Sequence, residues 1–244
     1  MSTPLPWPLT RTIPTSTELS LLPLLLKWPN EVGSFCYQPS FRLPPIIAAC
    51  NQLSIPLHSA LSLRRHHIKA RNKHLHNHQL RMGTDHEKKM AADAFERVVE
   101  RYLQANGVNN YQTQEQQVFV NPPIPGVKHP GTPDFLFSPP LQVLDPATNA
   151  VRSLHWLEVK HFYGASTIKP GKTSACGQIP AKTLRYYESF GPGAMLFAYG
   201  CGEDLVKRMP EEVVVLDESV LVLDEVAVQI AKFCARREDG MLLP

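Results

Sequence analysis

The residues of this chain best suited to chemistry are the aspartate of Gly131-Thr132-Pro133-Asp134 and the pair in Leu157-Glu158-Val159-Lys160, where a lysine follows a glutamate by two. Both lie in apolar runs: Phe135-Leu136-Phe137 follows the aspartate, and Leu154-His155-Trp156-Leu157 precedes the glutamate. Side chains alternate along a strand, so Glu158 and Lys160 share one face and Val159 takes the other. Two neighbouring strands would then bring two carboxylates and an ammonium to one point. Hard carboxylate oxygens suit Mg²⁺ or Mn²⁺, and a lysine beside them suits a reaction that develops negative charge, such as phosphodiester hydrolysis. The competing reading is a solvated strand face whose Glu158–Lys160 salt bridge is worth under about 1 kcal/mol. The apolar surroundings weigh against it, because a charge at an internal strand end needs a partner. Pro133 fits only a strand start or edge, which sets Asp134 at the mouth of the sheet.

The elements that must position these residues are legible as patterns. Thr84 or Asp85 can cap a helix from His86 to about Ala105, whose apolar residues Met90, Ala94, Phe95, Val98, Val99 and Tyr102 form one stripe, with Asn106-Gly107 as its stop. Glu87, in its first turn, is the candidate third carboxylate, against the plainer role of stabilising the helix N-terminus. Asp93, Glu96 and Glu100 are assigned to the solvent side. Strands are expected at Val118–Val120, Asp134–Phe137, Leu154–Lys160, Ala194–Tyr199 and Val213–Leu216. A helix is expected at Lys182–Ser189, and another from about Val220 to Arg236. This order predicts an α/β sandwich around a mixed central sheet.

Upstream, residues 1–44 are rich in Pro, Ser and Thr and read as extended or weakly ordered, with one short helix over Glu18–Lys27. Residues 45–82 read as a small basic helical region, with a second helix from about Pro56 to His74 and a helix-turn-helix-like arrangement. Residues 83–244 carry the α/β domain. From Val32 to Thr84 there is no Asp or Glu, against seven basic residues: Arg42, Arg64, Arg65, Lys69, Arg71, Lys73 and Arg81. Residues 85–244 hold 16 Lys/Arg and 20 Asp/Glu, a net of −4. A basic segment before an acidic domain is the footprint of polyanion binding, with a solvated helix or a nuclear-import signal as alternatives. The five cysteines, Cys36, Cys50, Cys176, Cys201 and Cys234, form no C-x-x-C pair and fit a reducing compartment better than a disulfide or zinc framework. The alternating His74, His76 and His78 fit polyanion contact or solvent better than zinc. Leu19–Leu26 is too short, and too interrupted by Pro23, to span a membrane.

With these residues placed, residues 83–201 resemble the TPD-motif proteins, a family that includes codanin-interacting nuclease-like members. The resemblance runs in order through Gly131-Thr132-Pro133-Asp134-Phe135, His155-Trp156-Leu157-Glu158-Val159-Lys160, Ser189-Phe190-Gly191-Pro192-Gly193 and Tyr199-Gly200. It implies a PD-(D/E)xK, restriction-endonuclease-like domain, similar to Holliday-junction resolvases, and a magnesium-dependent nuclease of nucleus or cytoplasm. Asp134, Glu158 and Lys160 match the core motif. Gly83…His86-Glu87 resembles the segment that supplies a helix carboxylate, which favours Glu87 over Glu96. One departure concerns a glutamine common in the family, which falls on Lys182; Gln178 stands one helical turn earlier. Either Gln178 takes the glutamine's place, or Lys182 adds a phosphate contact. The resulting expectation is a DNA nuclease, with structured or branched DNA favoured through the resemblance, Arg64, Arg65, Lys69, Arg71, Lys73 and Arg81 on the backbone, and a homodimer if a two-fold junction is cut. The alternatives are an adaptor on a nuclease fold that binds a codanin-like protein, and an RNA-directed nuclease.

Overall fold

Short apolar runs of period 2 cannot bury themselves and must pair, and here they do so in one mixed sheet. The computed structural model describes residues 3–26, 43–71, 85–122, 129–171 and 174–228. In chain order the elements are β1 (Leu5–Pro6), α1 (Thr15–Leu26), α2 (Leu43–Leu53), α3 (Leu57–Arg71), α4 (Asp85–Ala105), β2 (Tyr111–Thr113), α5 (Gln114–Val120), β3 (Phe135–Asp145) and β4 (Ala150–Lys160). Then come α6 (Ala175–Phe190), β5 (Gly193–Phe197), α7 (Glu203–Val206), β6 (Val213–Leu216) and a 3₁₀ turn at Glu218–Val220. Among the described residues, six strands form the sheet, in the order β1-β3-β4-β5-β6, with β2 also on β3. The hairpin β3–β4 is antiparallel, while β4, β5 and β6 run parallel. Parallel neighbours need a crossover, and α6 supplies it between β4 and β5.

Alternation sorts the core into two layers. Ala194 and Leu196 of β5, with Leu157 and Val159 of β4, pack against Ala94, Phe95, Val98 and Val99 of α4. Met195 and Phe197, with Trp156, pack on the other face with α1, α3 and α6 residues. Glu158 and Lys160 share the parity of Trp156 and so lie on the α6 side.

Four elements differ from the sequence reading. Residues 118–120, expected as a strand, belong to helix α5. The Thr113 N–H donates to the Gln116 side chain at 2.9 Å, which opens a helix, and Phe119 is 89% exposed, so the apolar run buries no strand face. The hairpin is longer than expected. Its register shifts between Leu136 and Leu141, where Pro139 and Pro140 have no N–H to give, and pairing resumes to Asp145. α6 begins at Ala175, seven residues before the expected start and across Pro180, after the Ser174 cap, whose hydroxyl accepts from Gly177 N. After the 3₁₀ turn the chain is helical at 224–228, where the described residues end.

Of the N-terminal stretch, the described residues 3–26 are tied to the sheet through β1 rather than weakly ordered. β1 pairs with Val143 and Leu144, Trp7 is fully buried, and its indole donates to the Asp217 carbonyl at 2.8 Å. Among the described residues no helix is long and apolar enough to cross a membrane.

Candidate active site

Asp134 enters the site from the residue before β3, where the turn is fixed from two sides. The Tyr186 hydroxyl of α6 donates to the Thr132 carbonyl at 2.9 Å, and Gln117 of α5 donates to the Pro133 carbonyl at 2.8 Å. Gly131 is required there: its φ is +95°, and a Cβ would stand 2.7 Å from the Tyr186 ring. Asp134 itself accepts from Gln114 Nε2 at Oδ1 and from the Val159 N–H at Oδ2. The second bond ties the aspartate to the strand that carries Glu158 and Lys160.

Those two residues then converge on Asp134. Glu158 is fully buried, and its Oε1 meets both Lys160 Nζ from its own strand and Lys182 Nζ from α6. Lys160 also donates to the Val159 carbonyl at 2.7 Å and lies 3.5 Å from Asp134 Oδ2. Among the described residues Glu158 Oε2 has no hydrogen-bond partner. Tyr186 feels the Glu158 charge, but its hydroxyl proton is donated to the Thr132 carbonyl.

The electrostatics follow from this geometry. Burial pushes Asp134 up to about 6; Lys160 opposes that rise and Glu158 adds to it. Burial also pushes Glu158 up, but Lys160 and Lys182 together overcome it and hold the carboxyl below its ordinary value. Burial favours a neutral Lys160, yet Glu158 and Asp134 raise its pKa and keep it charged. On α4, Glu96 is pushed up to about 7, first by burial, then by the charge of Asp134, with Lys160 opposing.

Asp134, Glu158 and Lys160 are therefore brought together, and Lys182 joins them. Glu96, assigned to solvent from its spacing, is half-buried and feels the site's charges; Asp93 pairs with Lys89, and Glu100 accepts from Tyr111. Glu87 stands nine residues earlier, about 13 Å along the helix axis, and its side chain is outside the described residues. Gln178 is exposed on α6. Arg64 is not on the surface: it is 2% exposed, and its Nε donates to the Leu25 carbonyl at 2.8 Å, satisfying the last turn of α1. Lys73 and Arg81 lie outside the described residues, as do Arg42 and the three alternating histidines; for Arg65, Lys69 and Arg71 the same holds of the side chains.

Sequence reasoning missed Gln114 and Gln117. Their signal was the Thr113-x-x-Gln116 spacing, which marks a helix start and turns the glutamine run into one helical face and its neighbours.

The donor set suits a hard cation. Glu158 Oε2 is a buried carboxylate oxygen that accepts no hydrogen bond among the described residues, and an oxygen of that kind can ligate a hard cation. Among the described residues, however, no three His, Cys, Asp or Glu side chains stand together as a metal cluster. Two carboxylates form the centre, and two lysines balance them.

Comparison with known proteins gives one match. The family profile described as "Protein of unknown function TPD sequence-motif" matches residues 63–219, more than half of the chain. No curated protein and no solved structure matches.

Proposed function

This chain belongs to the TPD sequence-motif family, and from its site we propose that it is a divalent-metal-dependent nuclease of the PD-(D/E)xK type, on a restriction-endonuclease-like fold, that hydrolyses phosphodiester bonds of DNA. The observation that carries this reading is the buried Glu158, with one oxygen on two lysines and the other unpartnered, against Asp134.

Asp134 and Glu158 would hold Mg²⁺ or Mn²⁺; Glu96 of α4 feels the charge of both but does not stand with them as a third ligand among the described residues. The cation, when bound, supplies charge neutralisation at the scissile phosphate and a water of lowered pKa. The protein's own groups do the rest. Lys160 stays charged beside both carboxylates and would orient the attacking water and oppose charge developing on the phosphate. Gln114 and the Val159 N–H fix the Asp134 carboxylate, so that ligand is in place before substrate arrives. The basic segment 42–81 is proposed to hold the phosphate backbone, and branched DNA is favoured as substrate through the family resemblance alone.

A second reading, a nuclease-fold adaptor for a codanin-like protein, gains support from the two lysines that already neutralise Glu158. Cleavage of labelled single-stranded, duplex, flap and four-way-junction DNA in Mg²⁺ or Mn²⁺ separates the two. The expected result is cleavage by wild type and a loss on the order of 10²–10³ in Lys160→Ala, with Glu158→Ala inactive and DNA binding retained in both. Equal cleavage by all three, or none by wild type, would overturn the nuclease reading.

A further inference from the structure

Two lysines meet on one carboxylate oxygen of Glu158, yet they are not held alike. Lys160 is anchored three ways, to Glu158, to the Val159 carbonyl at 2.7 Å and to Asp134 at 3.5 Å. Lys182 has Glu158 Oε1 and, 5.4 Å away, the face of the Tyr186 ring. Its side chain is also the more exposed, 28% against 19% for Lys160. Lysine stems are flexible, so the ammonium can leave without any backbone movement. What it would leave behind is Glu158 Oε1 on Lys160 alone, beside the unpartnered Oε2.

We propose that Lys182 is an internal cation that occupies Glu158 in place of a divalent metal and gives it up to a phosphate of the substrate, so that metal and nucleic acid load together. The charges show why. Asp134 and Glu158 against Lys160 and Lys182 sum to zero, and a divalent cation gains little from a neutral cluster. With Lys182 turned to a phosphate the remaining three groups sum to −1, and Glu158 Oε1 is left to Lys160 alone. The same movement puts an ammonium on the polyanion. A glutamine at this position could hydrogen-bond the carboxylate but could not neutralise it. Lys182 therefore converts a site open to metal into one that is closed until substrate arrives.

This inference rests on the metal-binding reading of Asp134 and Glu158, and its test uses no cleavage. Mn²⁺ binding to the full chain is followed by loss of the free-ion electron paramagnetic resonance signal, for wild type, Lys182→Gln and Glu158→Gln/Lys182→Gln. Lys182→Gln should bind Mn²⁺ about tenfold more tightly than wild type, in keeping with removal of one competing charge in a partly solvated site, and the double variant should lose that gain. Mn²⁺ should likewise raise the melting temperature of Lys182→Gln more than that of wild type, which checks that the variant is folded. In the second arm, Ca²⁺ should tighten binding of a fluorescent duplex severalfold in wild type and less in Lys182→Gln, because coupling between two ligands is reciprocal. Equal Mn²⁺ affinity in wild type and Lys182→Gln, a gain that survives loss of Glu158, or equal Ca²⁺ effects on duplex binding would overturn the latch while leaving the metal site in place. No Mn²⁺ binding by any variant would overturn both.

Discussion

Glu96 is where ionisation and stability meet. Its carboxyl is pushed from 4.5 up to about 7, by burial first and the Asp134 charge second, and Asp134 moves the same way, to about 6. A folded-state value above the unfolded one means that folding favours the protonated form. The stabilisation is complete below about pH 4.5 and is lost as pH rises through about 7. Glu96→Gln fixes the neutral form, so in the absence of metal it should melt above wild type at pH 8, with the difference closing toward pH 4.5. A variant that melts below wild type at pH 8 would show that the carboxylate is not held at a cost. The sequence pattern could not identify this residue. Glu96 borders the α4 stripe, and only the position of Asp134 and Lys160 decides whether that border faces water or charge.

At the scale of elements, α5 matters most to the site and was the least legible. A run of Gln, Val and Phe reads as strand by propensity, but the Thr113–Gln116 start makes it a helix, and that turns Gln117 inward. Gln117 donates to the Gln112 and Pro133 carbonyls at 3.0 and 2.8 Å and so joins β2 to the turn that carries Asp134. Gln117→Ala leaves both carbonyls without that donor and should cost about 1–3 kcal/mol in a urea titration. Unchanged stability would mean that the turn is held by Tyr186 alone. By contrast β5 and β6 were readable as short continuous apolar runs buried within the sheet, and β4 over its apolar second half, Leu154–Lys160. α6 was readable only in its second half, since Pro180 breaks the helical pattern while its missing N–H is tolerated close to the helix start.

Across the whole molecule, the N-terminal helices belong to the same body as the sheet. Glu18 of α1 is buried and accepts from the Tyr163 hydroxyl, the Ser166 and Thr167 N–H groups and the Thr167 hydroxyl, at 2.8–3.0 Å. From α3, Ser62 accepts from Tyr163 N and Ser59 donates to the Tyr199 carbonyl. Both contacts fall on the loops that follow β4 and β5, the strands that form and flank the site. Arg64 shows the consequence for function. Arg64→Met should lower the melting temperature and leave the salt dependence of the proposed DNA binding unchanged, whereas neutralising Arg65 or Lys69 should reduce the slope of log affinity against log salt by about 1 each. A reduced slope in Arg64→Met would place that guanidinium on the backbone after all. By itself the sequence determined the α/β class, the parity that puts Glu158 and Lys160 on one face, and a strand that opens beside Pro133-Asp134, because these depend on local period and on proline. Only the tertiary structure decided that Lys182 shares Glu158, that Glu96 is drawn into the site's field and that Arg64 is withdrawn from solvent, because these depend on which face of one element meets another, and no spacing within a single element carries that information.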